Sequence, residues 1–386
     1  MRLNYNKLGD FIRPVKEKNR EGHYSELLGI NIDKFFMPSV ANIHGVDLST
    51  YKVVRKGYFA CNRMHVGRDY RIPISLSRRD EPFLVSPAYD VFEIKDTSVL
   101  LPEYLMMWFS RKEFDRNAWF YTDADVRGGL PWSSFCEIEL PIPSVEKQRE
   151  IVQEYNTIVN RISLNERLIQ KLEETAQAIY KRWFVEEIDL ENLPDGWRNG
   201  KLSDLCQYSD KRISINQIRP ENYISTENMI QNKGGIVHNG KLPNAKNTSG
   251  FEIGNILISN IRPYFKKIWL ANIEGGCSND VLCLKANSNI PPLFLYQILE
   301  KDAFFDFVMS GSKGTKMPRG DKNWIMDYPS VIPDPELLNK FNKTTLLLQE
   351  YVISIKQENG TLAEAKDLIL SKMTKVEETT EKEITT

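Results

Sequence analysis

Two long stretches of the chain carry apolar residues at alternating steps of three and four. They cover residues 146–187 and 336–377 and align without a gap at an offset of 190. The apolar stripe runs from Ile151 to Trp183 in the first stretch and from Phe341 to Met373 in the second. A period of about 3.5 residues sustained over several heptads is the coiled-coil pattern. The sequence therefore predicts two long helices in an internally duplicated chain.

The residues at the helix ends support this prediction. Ser144 can cap the first helix, and Asp334 can cap the second with Pro335 at the first helical position. Because no Pro or Gly occurs between Ser144 and Leu193, about 43 residues can form one helix of roughly 65 Å. In the second helix, Gly360 costs about 1 kcal/mol without ending the helix.

The segments outside the long helices are also duplicated. Runs rich in β-branched and aromatic residues, bounded by Gly, Pro or Asp, predict strands, and two further stretches predict short helices. The strand runs are Val53–Cys61, Val85–Ile94, Ile253–Ser259 and Val281–Leu284, and the helical stretches are Tyr104–Phe114 and Phe294–Phe307. The pattern leaves the order of the strands open.

The predicted fold class is α/β (mixed α+β), with tandem globular domains that are each followed by a long helix. The expected segments are a first domain at 1–143, a helix at 144–192, a second domain at 193–333, a helix at 334–376 and a tail at 377–386. The tail is charged and Thr-rich with almost nothing to bury, so we expect it to be disordered.

One pair of polar residues suggests how the two helices meet. Asn165 and Asn359 are the only Asn residues on the two stripes, and they face each other if the helices overlap fully in antiparallel orientation. Asn opposite Asn satisfies its hydrogen bonds and fixes the register of a coiled coil. We therefore expect an antiparallel pair with pseudo-two-fold symmetry, which a double-mutant cycle between the two positions would test. Chance placement of the two residues and pairing with a second copy are the alternatives.

Charge is unevenly distributed along the chain. The formal net charge is −1 overall, and by segment it is +1 for 1–143, −3 for 144–192, +4 for 193–333 and −3 for 334–386. The acidic excess belongs to the helical segments. A near-neutral total therefore neither excludes nor favours a nucleic-acid partner.

Composition favours a soluble cytoplasmic protein. The five cysteines are scattered with no CxxC pair, which is typical of reduced thiols, and the four histidines are equally dispersed. We expect no disulfide framework and no metal site. The first residues do not form a signal peptide, and no apolar run approaches the roughly 18 residues of a membrane span.

Two short motifs resemble those of enzymes but lack essential parts. Ser86-Pro87-Ala88-Tyr89 is similar to the proline–aromatic motif of amino-methyltransferases, yet its second proline and a preceding glycine-rich loop are missing. Pro333-Asp334 with Glu364-Ala365-Lys366 fits a loose nuclease pattern, but these carboxylates fall on a predicted helix rather than on adjacent strands. No phosphate-binding GxxxxGK[ST] loop occurs. We predict a chain that is not an enzyme, with a nuclease or methyltransferase acting alone as an alternative.

A duplicated series of motifs resembles the specificity (S) subunit of type I restriction–modification systems. The residues that carry this resemblance are Leu140-Pro141-Ile142-Pro143, Glu146-Lys147-Gln148, Ile151, Leu193-Pro194-Asp195-Gly196-Trp197, Lys201-Leu202, Gly314-Thr315-Lys316-Met317-Pro318 and Ile332-Pro333. The similarity covers nearly the whole chain. The second copy departs from the family at Leu338, where the family pattern has Gln.

The resemblance implies a function and a set of partners. Two target-recognition domains would each read half of a split double-stranded DNA sequence, with the helices as a ruler. Modification subunits, two of them in this view, would dock on the helices, and restriction subunits would join the complex. S-adenosylmethionine, ATP and Mg would bind to those partners, and this chain would bind no cofactor. A duplicated coiled-coil scaffold that binds only proteins is the alternative.

Base edges are read by Arg, Lys, Asn and Gln, and phosphates are held by Lys, Arg and backbone N–H groups. On this basis the candidate DNA-binding residues are Arg63, Arg68, Arg71, Arg78, Arg79, Arg127 and Trp132 in the first domain, and Arg262, Lys266, Lys267, Lys313, Lys316 and Arg319 in the second. Glycine-rich loops beside them suit close approach to a DNA backbone. A solvated surface charge is the alternative for each.

Overall fold

Two long helices dominate the secondary structure, as the heptad pattern predicts. The computed structural model describes residues 5–39, 46–64, 66–122, 128–186, 188–189, 191–238 and 241–373. The first long helix, Val145–Lys181, has 37 residues and continues as a π-helical turn at Arg182–Glu186. The second long helix, Pro335–Lys372, has 38 residues and passes through Gly360 without a break. Both helices end a few residues earlier than predicted, and the tail at 377–386 lies outside the described residues.

The chain forms two units, each of which contains one globular domain and part of both long helices. Unit 1 comprises Met1–Leu164 and Asn359–Thr386, and unit 2 comprises Asn165–Glu358. The strands of unit 1 are Tyr5–Lys7, Ile12–Val15, Leu28–Ile30, Phe36–Pro38, Lys52–Val54, Phe59–Cys61, Ile74–Leu76, Phe83–Val85, Asp90–Ile94 and Glu139–Pro141, and its short helices are Leu8–Asp10, Leu48–Thr50, Val66–Asp69, Pro102–Phe109, Lys112–Phe120 and Trp132–Glu137.

Unit 2 also has a two-stranded and a four-stranded sheet, but one additional four-stranded sheet stands where unit 1 has two further strand pairs. Its strands are Arg198–Lys201, Cys206–Tyr208, Arg212–Ser214, Tyr223–Ile224, Asn247–Phe251, Ile256–Ser259, Ile268–Leu270, Gly275–Cys277, Val281–Ala286 and Pro329–Ile332, and its short helices are Leu202–Leu205, Ile215–Gln217, Pro220–Asn222, Pro263–Phe265, Pro292–Leu299, Asp302–Ser310 and Lys322–Met326. The additional sheet has the strand order Arg212–Ser214, Asn247–Phe251, Gly275–Cys277, Tyr223–Ile224.

The central sheets of the two units have the same topology. In unit 1 four antiparallel strands follow the order Ile12–Val15, Asp90–Ile94, Phe59–Cys61, Ile74–Leu76. In unit 2 the order is Cys206–Tyr208, Val281–Ala286, Ile256–Ser259, Ile268–Leu270. Counted along the chain, the same strands pair in the same sequence. The duplication seen in the sequence is therefore present in the folded domains.

A second strand pair brings the chain to the start of each long helix. Tyr5–Lys7 pairs with Glu139–Pro141 in unit 1, and Arg198–Lys201 pairs with Pro329–Ile332 in unit 2. In both units the returning strand is followed within a few residues by the long helix. Each helix therefore leaves from the two-stranded sheet that joins the beginning and end of its own domain.

Several predicted strands and helices are divided in two. The run Val53–Cys61 is broken by a turn at Gly57, whose φ of 84° is a conformation that glycine adopts easily. The run Val85–Ile94 is broken at residues 86–89, where the Tyr89 N–H donates to the Ser86 carbonyl. The motif at 86–89 is therefore a turn. The strand predicted at Ile253–Ser259 begins only at Ile256.

The predicted helices Tyr104–Phe114 and Phe294–Phe307 are each two helices, and both break at an equivalent cation. Arg111 and Lys301 have extended backbones with ψ of 143°. The Arg111 guanidinium lies 4.3 Å from the Trp108 ring centroid, and the Lys301 ammonium lies 5.2 Å from that of Tyr180. Each break therefore places a cation over an aromatic ring, a contact that a continuous apolar pattern does not reveal.

Each unit has its own apolar core, to which parts of both long helices contribute. The core of unit 1 includes Ile151 from the first helix with Leu370 and Met373 from the second. The core of unit 2 includes Tyr180 and Phe341 in the same way. The helices therefore belong to the folded domains and do not merely connect them.

Within unit 2 the two helical segments run in opposite directions. The Trp183 and Phe341 ring centroids are 6.3 Å apart, and the Asn165 amide donates to a Glu358 carboxylate oxygen at 3.1 Å. Positions late in the first helix thus meet positions early in the second, as in an antiparallel pair. Asn165 is buried. The Asn165–Asn359 pairing joins residues of different units, so it stays a prediction.

Gln148 anchors the start of the first long helix. It is fully buried, and its side chain accepts from the Leu101 N–H at 2.8 Å and donates to the Val99 and Pro143 carbonyls at 2.8 and 2.9 Å. The corresponding Leu338 is buried in the apolar core of unit 2. The departure from the family pattern at this position therefore exchanges a hydrogen-bonded anchor for an apolar one.

Candidate nucleic-acid interface

Three loops of unit 2 are joined by backbone hydrogen bonds into one surface. The Lys233 N–H donates to the Lys266 carbonyl at 2.8 Å, and the Arg262 N–H donates to the Pro318 carbonyl at 2.8 Å. We define the three-loop surface as residues 229–236, 260–267 and 311–321, which the structure describes in full. It contains seven Lys or Arg residues and one acidic residue, Asp321. This is the electrostatic character expected of a surface that meets phosphates.

Three of the six predicted cations of this surface, and also Lys233, pair with carboxylates. The Lys266 and Lys233 ammonium groups lie 3.0 and 2.9 Å from the same Asp302 oxygen. Lys313 pairs with Asp321 at 2.8 Å, and Arg319 pairs with Asp280 at 2.9 Å. Solvent-exposed ion pairs of this kind contribute little to stability. They can therefore exchange their carboxylate for a phosphate at little cost to the fold.

The remaining predicted cations of unit 2 differ in exposure. Lys267 donates to the Thr226 carbonyl at 2.7 Å, and burial lowers the pKa of its ammonium group. Lys316 is exposed on the 311–321 loop, beside an exposed Met317. Lys267 thus stabilises the loop, whereas Lys316 is free to meet solvent or a partner.

A strained turn projects from the three-loop surface. Arg262 and Lys266 both have left-handed backbones, with φ of 51° and 50°, and enclose the single helical turn Pro263–Phe265. Such a conformation costs a non-glycine residue about 1–3 kcal/mol and is found where the surroundings enforce it. Tyr264, at the centre of the turn, is exposed. We call residues 262–266 the strained turn.

Unit 1 repeats the loop docking of unit 2 with glycines. The Gly67 N–H donates to the Gly128 carbonyl at 2.7 Å, and the Leu130 N–H donates to the Arg63 carbonyl at 2.9 Å. A Cβ atom on Gly67 would lie 2.7 Å from the Gly128 Cα, closer than real Cβ contacts allow. These glycines allow two backbone segments of the protein to contact each other. The sequence had suggested such a close approach to a DNA backbone.

Two predicted DNA-binding residues of unit 1 are engaged inside the domain. Arg63 forms an ion pair with Asp90 at 2.7 Å and donates to the Leu130 carbonyl. Its guanidinium lies 5.6 Å from the Trp132 ring centroid, and Trp132 packs against Phe92. The geometry therefore gives Arg63 and Trp132 a structural role and no support as readers of DNA.

The other predicted cations of unit 1 are spread over separate ion pairs. Arg68 pairs with Asp69 at 2.7 Å, Arg71 with Asp33 at 2.9 Å, and Arg79 with Glu26 through two bonds of 2.8 Å. Arg78 is exposed, and Arg127 lies outside the described residues. The described part of unit 1 therefore offers no joined basic surface like the one in unit 2.

Sequence and structure comparisons bear on the whole chain. No family model matches it. It is 25% identical over 235 residues to the type I restriction enzyme HindI specificity subunit of Haemophilus influenzae, covering 56% of this chain and 50% of the relative. It is 23% identical over 313 residues to the MjaIX specificity subunit of Methanocaldococcus jannaschii, covering 71% and 68%. The chain resembles type I specificity subunits. The alignment spans half the length of the Haemophilus relative.

The fold agrees with this resemblance. The crystal structure of a type I restriction–modification S subunit from M. genitalium matches with a TM-score of 0.55 at 15% sequence identity, covering 96% of each chain. At that identity the match establishes the fold alone. The predicted class, tandem α+β domains with long helices, is therefore confirmed.

Unit 1 also has an exposed aromatic surface that was not predicted from the sequence. In unit 1, Tyr70 and Trp119 have ring centroids 5.3 Å apart, and Phe120 and Tyr121 follow directly on Trp119. Phe120 is 78% exposed, and Tyr70 has a left-handed backbone with φ of 55°. The three consecutive aromatic residues at the end of this helix could have indicated the surface from the sequence. Exposed apolar surface of this kind is a candidate for contact with a partner.

Four of the five cysteines are buried, and Cys136 is partly buried. All five cysteines are free thiols; burial raises the pKa of Cys206 and Cys277 to about 12 and that of Cys283 to about 11. In the part of the chain that the structure describes, no group of three or more metal-ligating side chains occurs. The helices described there are too short or too polar to cross a membrane.

Proposed function

We propose that this chain is the DNA-recognition subunit of a type I restriction–modification complex and has no catalytic activity of its own. Its two domains would each read one half of a split double-stranded sequence, and the helical segments would set the gap. The observation that carries this proposal is the duplicated domain, with the same central sheet and the same loop docking in both units. A duplicated reader suits a target with two parts.

The three-loop surface supports DNA as the ligand. Four of its seven cations pair with carboxylates at the surface and Lys316 is exposed, so phosphates can replace those carboxylates. The proposal places S-adenosylmethionine, ATP and Mg in partner subunits, and the whole assembly in the cytoplasm. The role proposed for this chain is recognition: phosphate contacts would position it on the DNA, and base contacts would discriminate between sequences.

The proposal predicts salt-sensitive DNA binding by the chain in complex with its modification subunit. Removing two exposed cations with Lys313→Ala and Lys316→Ala should weaken binding to all sequences and reduce the slope of log K against log salt by about 1–2. Fluorescence anisotropy with a mixed-sequence duplex measures this slope. Lys171→Ala, an exposed lysine on the first long helix, is the matched control and should leave the slope unchanged. A complex that assembles but binds no DNA would instead favour the protein-binding scaffold.

The modification subunits would dock on the helical segments. Leu347 and Tyr351 lie one turn apart on the same face of the second long helix and are 68% and 52% exposed. With Leu346, which is also exposed, they form a contiguous apolar patch, and such patches are candidates for contact with a protein partner. The acidic charge of both helical segments also suits a protein partner better than DNA.

Charges placed on this face should prevent docking. We expect Leu347→Glu combined with Tyr351→Glu to weaken binding of the modification subunit at least about tenfold, because burying unpaired carboxylates in an interface is unfavourable. Co-purification and titration calorimetry measure the loss. Asn342→Glu, at an exposed position of the same helix, is the control and should bind like the native chain. Equal binding by the native chain and the double variant would remove this face from the interface.

A further inference from the structure

The strained turn of unit 2 is held by contacts at both of its ends. The Arg262 N–H donates to the Pro318 carbonyl at 2.8 Å, and the Asn232 N–H donates to the Phe265 carbonyl at 2.9 Å. Lys266 is further fixed by its ion pair with Asp302. Two left-handed residues in one five-residue turn persist only when the surroundings impose them. Strain enforced in this way is characteristic of sites that hold a side chain ready for a ligand.

Arg262 differs from four of the six other cations of the three-loop surface, which pair with carboxylates. Lys266, Lys313 and Arg319 each have a carboxylate partner. The Arg262 Nε atom is buried and has no hydrogen-bond partner among the described residues, and the guanidinium lies 6.0 Å from the Phe265 ring centroid. Its side chain is therefore positioned by backbone geometry and an aromatic ring, without an acid that neutralises it.

A neighbouring atom has the same property. The Oδ1 atom of Asn260, two residues before Arg262, is also buried with no hydrogen-bond partner among the described residues. Buried polar atoms without partners are uncommon in folded proteins and call for an explanation such as a ligand. Two of them lie in one loop at the edge of a basic surface, which makes this loop the candidate ligand contact of unit 2.

Among the bases, arginine matches guanine best in its hydrogen-bond geometry. Its planar guanidinium donates two parallel hydrogen bonds to O6 and N7 of guanine in the major groove, the commonest specific contact between proteins and DNA. Lysine is a point charge on a flexible chain, without this planar fork, and commonly binds phosphates. The strained turn presents one residue of each kind at its two ends, with the exposed Tyr264 between them.

We propose that Arg262 reads a guanine in the half-site recognised by unit 2, while Lys266 at the other end of the strained turn holds a phosphate. This inference rests on the proposed function and specifies which residue of unit 2 reads a base, and which base it reads. Unit 1 does not repeat the arrangement, because the equivalent Arg63 is paired with Asp90. The two half-sites are thus read by different means.

The matched pair Arg262→Gly and Lys266→Gly tests the assignment. Glycine adopts both left-handed conformations without strain, so either substitution removes a side chain and leaves the turn intact. Assembly with the modification subunit checks that each variant is folded. Binding of the complete complex to a randomised duplex pool, without methyl donor, then gives the preferred base at every position.

With Arg262→Gly we expect the preference for guanine at one position to fall roughly 5- to 150-fold, with the other half-site unchanged. Arg262→Lys keeps the charge but should also lose most of this preference. Lys266→Gly should weaken binding to all sequences and leave every base preference in place. An Arg262→Gly complex that selects the native split site at every position overturns this inference alone. A native complex that selects no sequence overturns the proposed function as well.

Discussion

Replacing Phe341 with alanine is expected to lower the free energy of unfolding of unit 2 by about 3–5 kcal/mol. Phe341 is fully buried near the start of the second long helix. Its ring centroid lies 5.2 Å from that of Phe184 and 6.3 Å from those of Tyr180 and Phe294. Trp183 is a fourth aromatic neighbour. The ring thus joins both helical segments to the globular domain, and its removal leaves a cavity that four rigid aromatic neighbours cannot fill.

Urea denaturation followed by near-ultraviolet circular dichroism measures this effect, because the lost packing involves tyrosine and tryptophan rings. Leu347→Ala, six residues later on the same helix, is the control. Leu347 is 68% exposed, so its truncation should change the free energy of unfolding by less than about 0.5 kcal/mol. A loss below about 1 kcal/mol for Phe341→Ala would show that the helical segments are not integral to unit 2.

Removing the carboxylate of Asp115 is expected to destabilise unit 1 by about 3–5 kcal/mol. The Lys34 ammonium is buried and lies 2.6 Å from Asp115 Oδ1 and 2.6 Å from the Phe109 carbonyl oxygen. Asp115 also accepts from the Ile72 N–H at 3.2 Å. Asp115→Ala therefore leaves a cation in the interior without its counter-charge, and an N–H group without its acceptor.

The double variant Lys34→Met with Asp115→Ala separates the charge from the packing. Because it removes the stranded cation, it should recover most of the stability lost in Asp115→Ala when both are measured by urea denaturation. Arg116→Ala, on the exposed face of the same helix, is the control and should be nearly neutral. If the double variant were as unstable as Asp115→Ala, the loss would come from packing and not from the buried charge.

The same site predicts a pH dependence. Burial lowers the pKa of Lys34 below its usual 10.5, so in the pH window just below 10.5 the unfolded chain binds more protons than the folded one. The contribution of Lys34 to stability therefore rises with pH in that window. The rise should be steeper in Asp115→Ala, because the carboxylate that favours the charged form is gone, and it should disappear in Lys34→Met.

The long helices could be predicted from the sequence because their signal extends over many residues. A stripe from Ile151 to Trp183 outweighs local exceptions, including a single Gly360 in the second copy. The short strands and helices have only a few residues each, so their hydrophobic pattern is easily interrupted. A turn at Gly57 or an extended residue at Arg111 is enough to divide a run that looks continuous, and both depend on tertiary contacts.

The DNA-binding candidates show the limit of reasoning from residue type. Arg63 and Arg262 occupy similar places in the duplicated sequence, yet Arg63 is paired with Asp90, 27 positions away along the chain. Only the fold shows which cation has a partner. Conversely, the exposed aromatic surface around Phe120 could have been noticed, since three consecutive aromatic residues rarely all point inward from one helix end.

The central claim is that two domains of one chain read the two halves of one DNA site. Its most direct test is to express this chain with its modification subunit and to map methylated adenines across a genome. The account predicts a split motif, two short specific sequences separated by a gap of constant length. A single uninterrupted motif, or no methylation despite a stable complex, would contradict it.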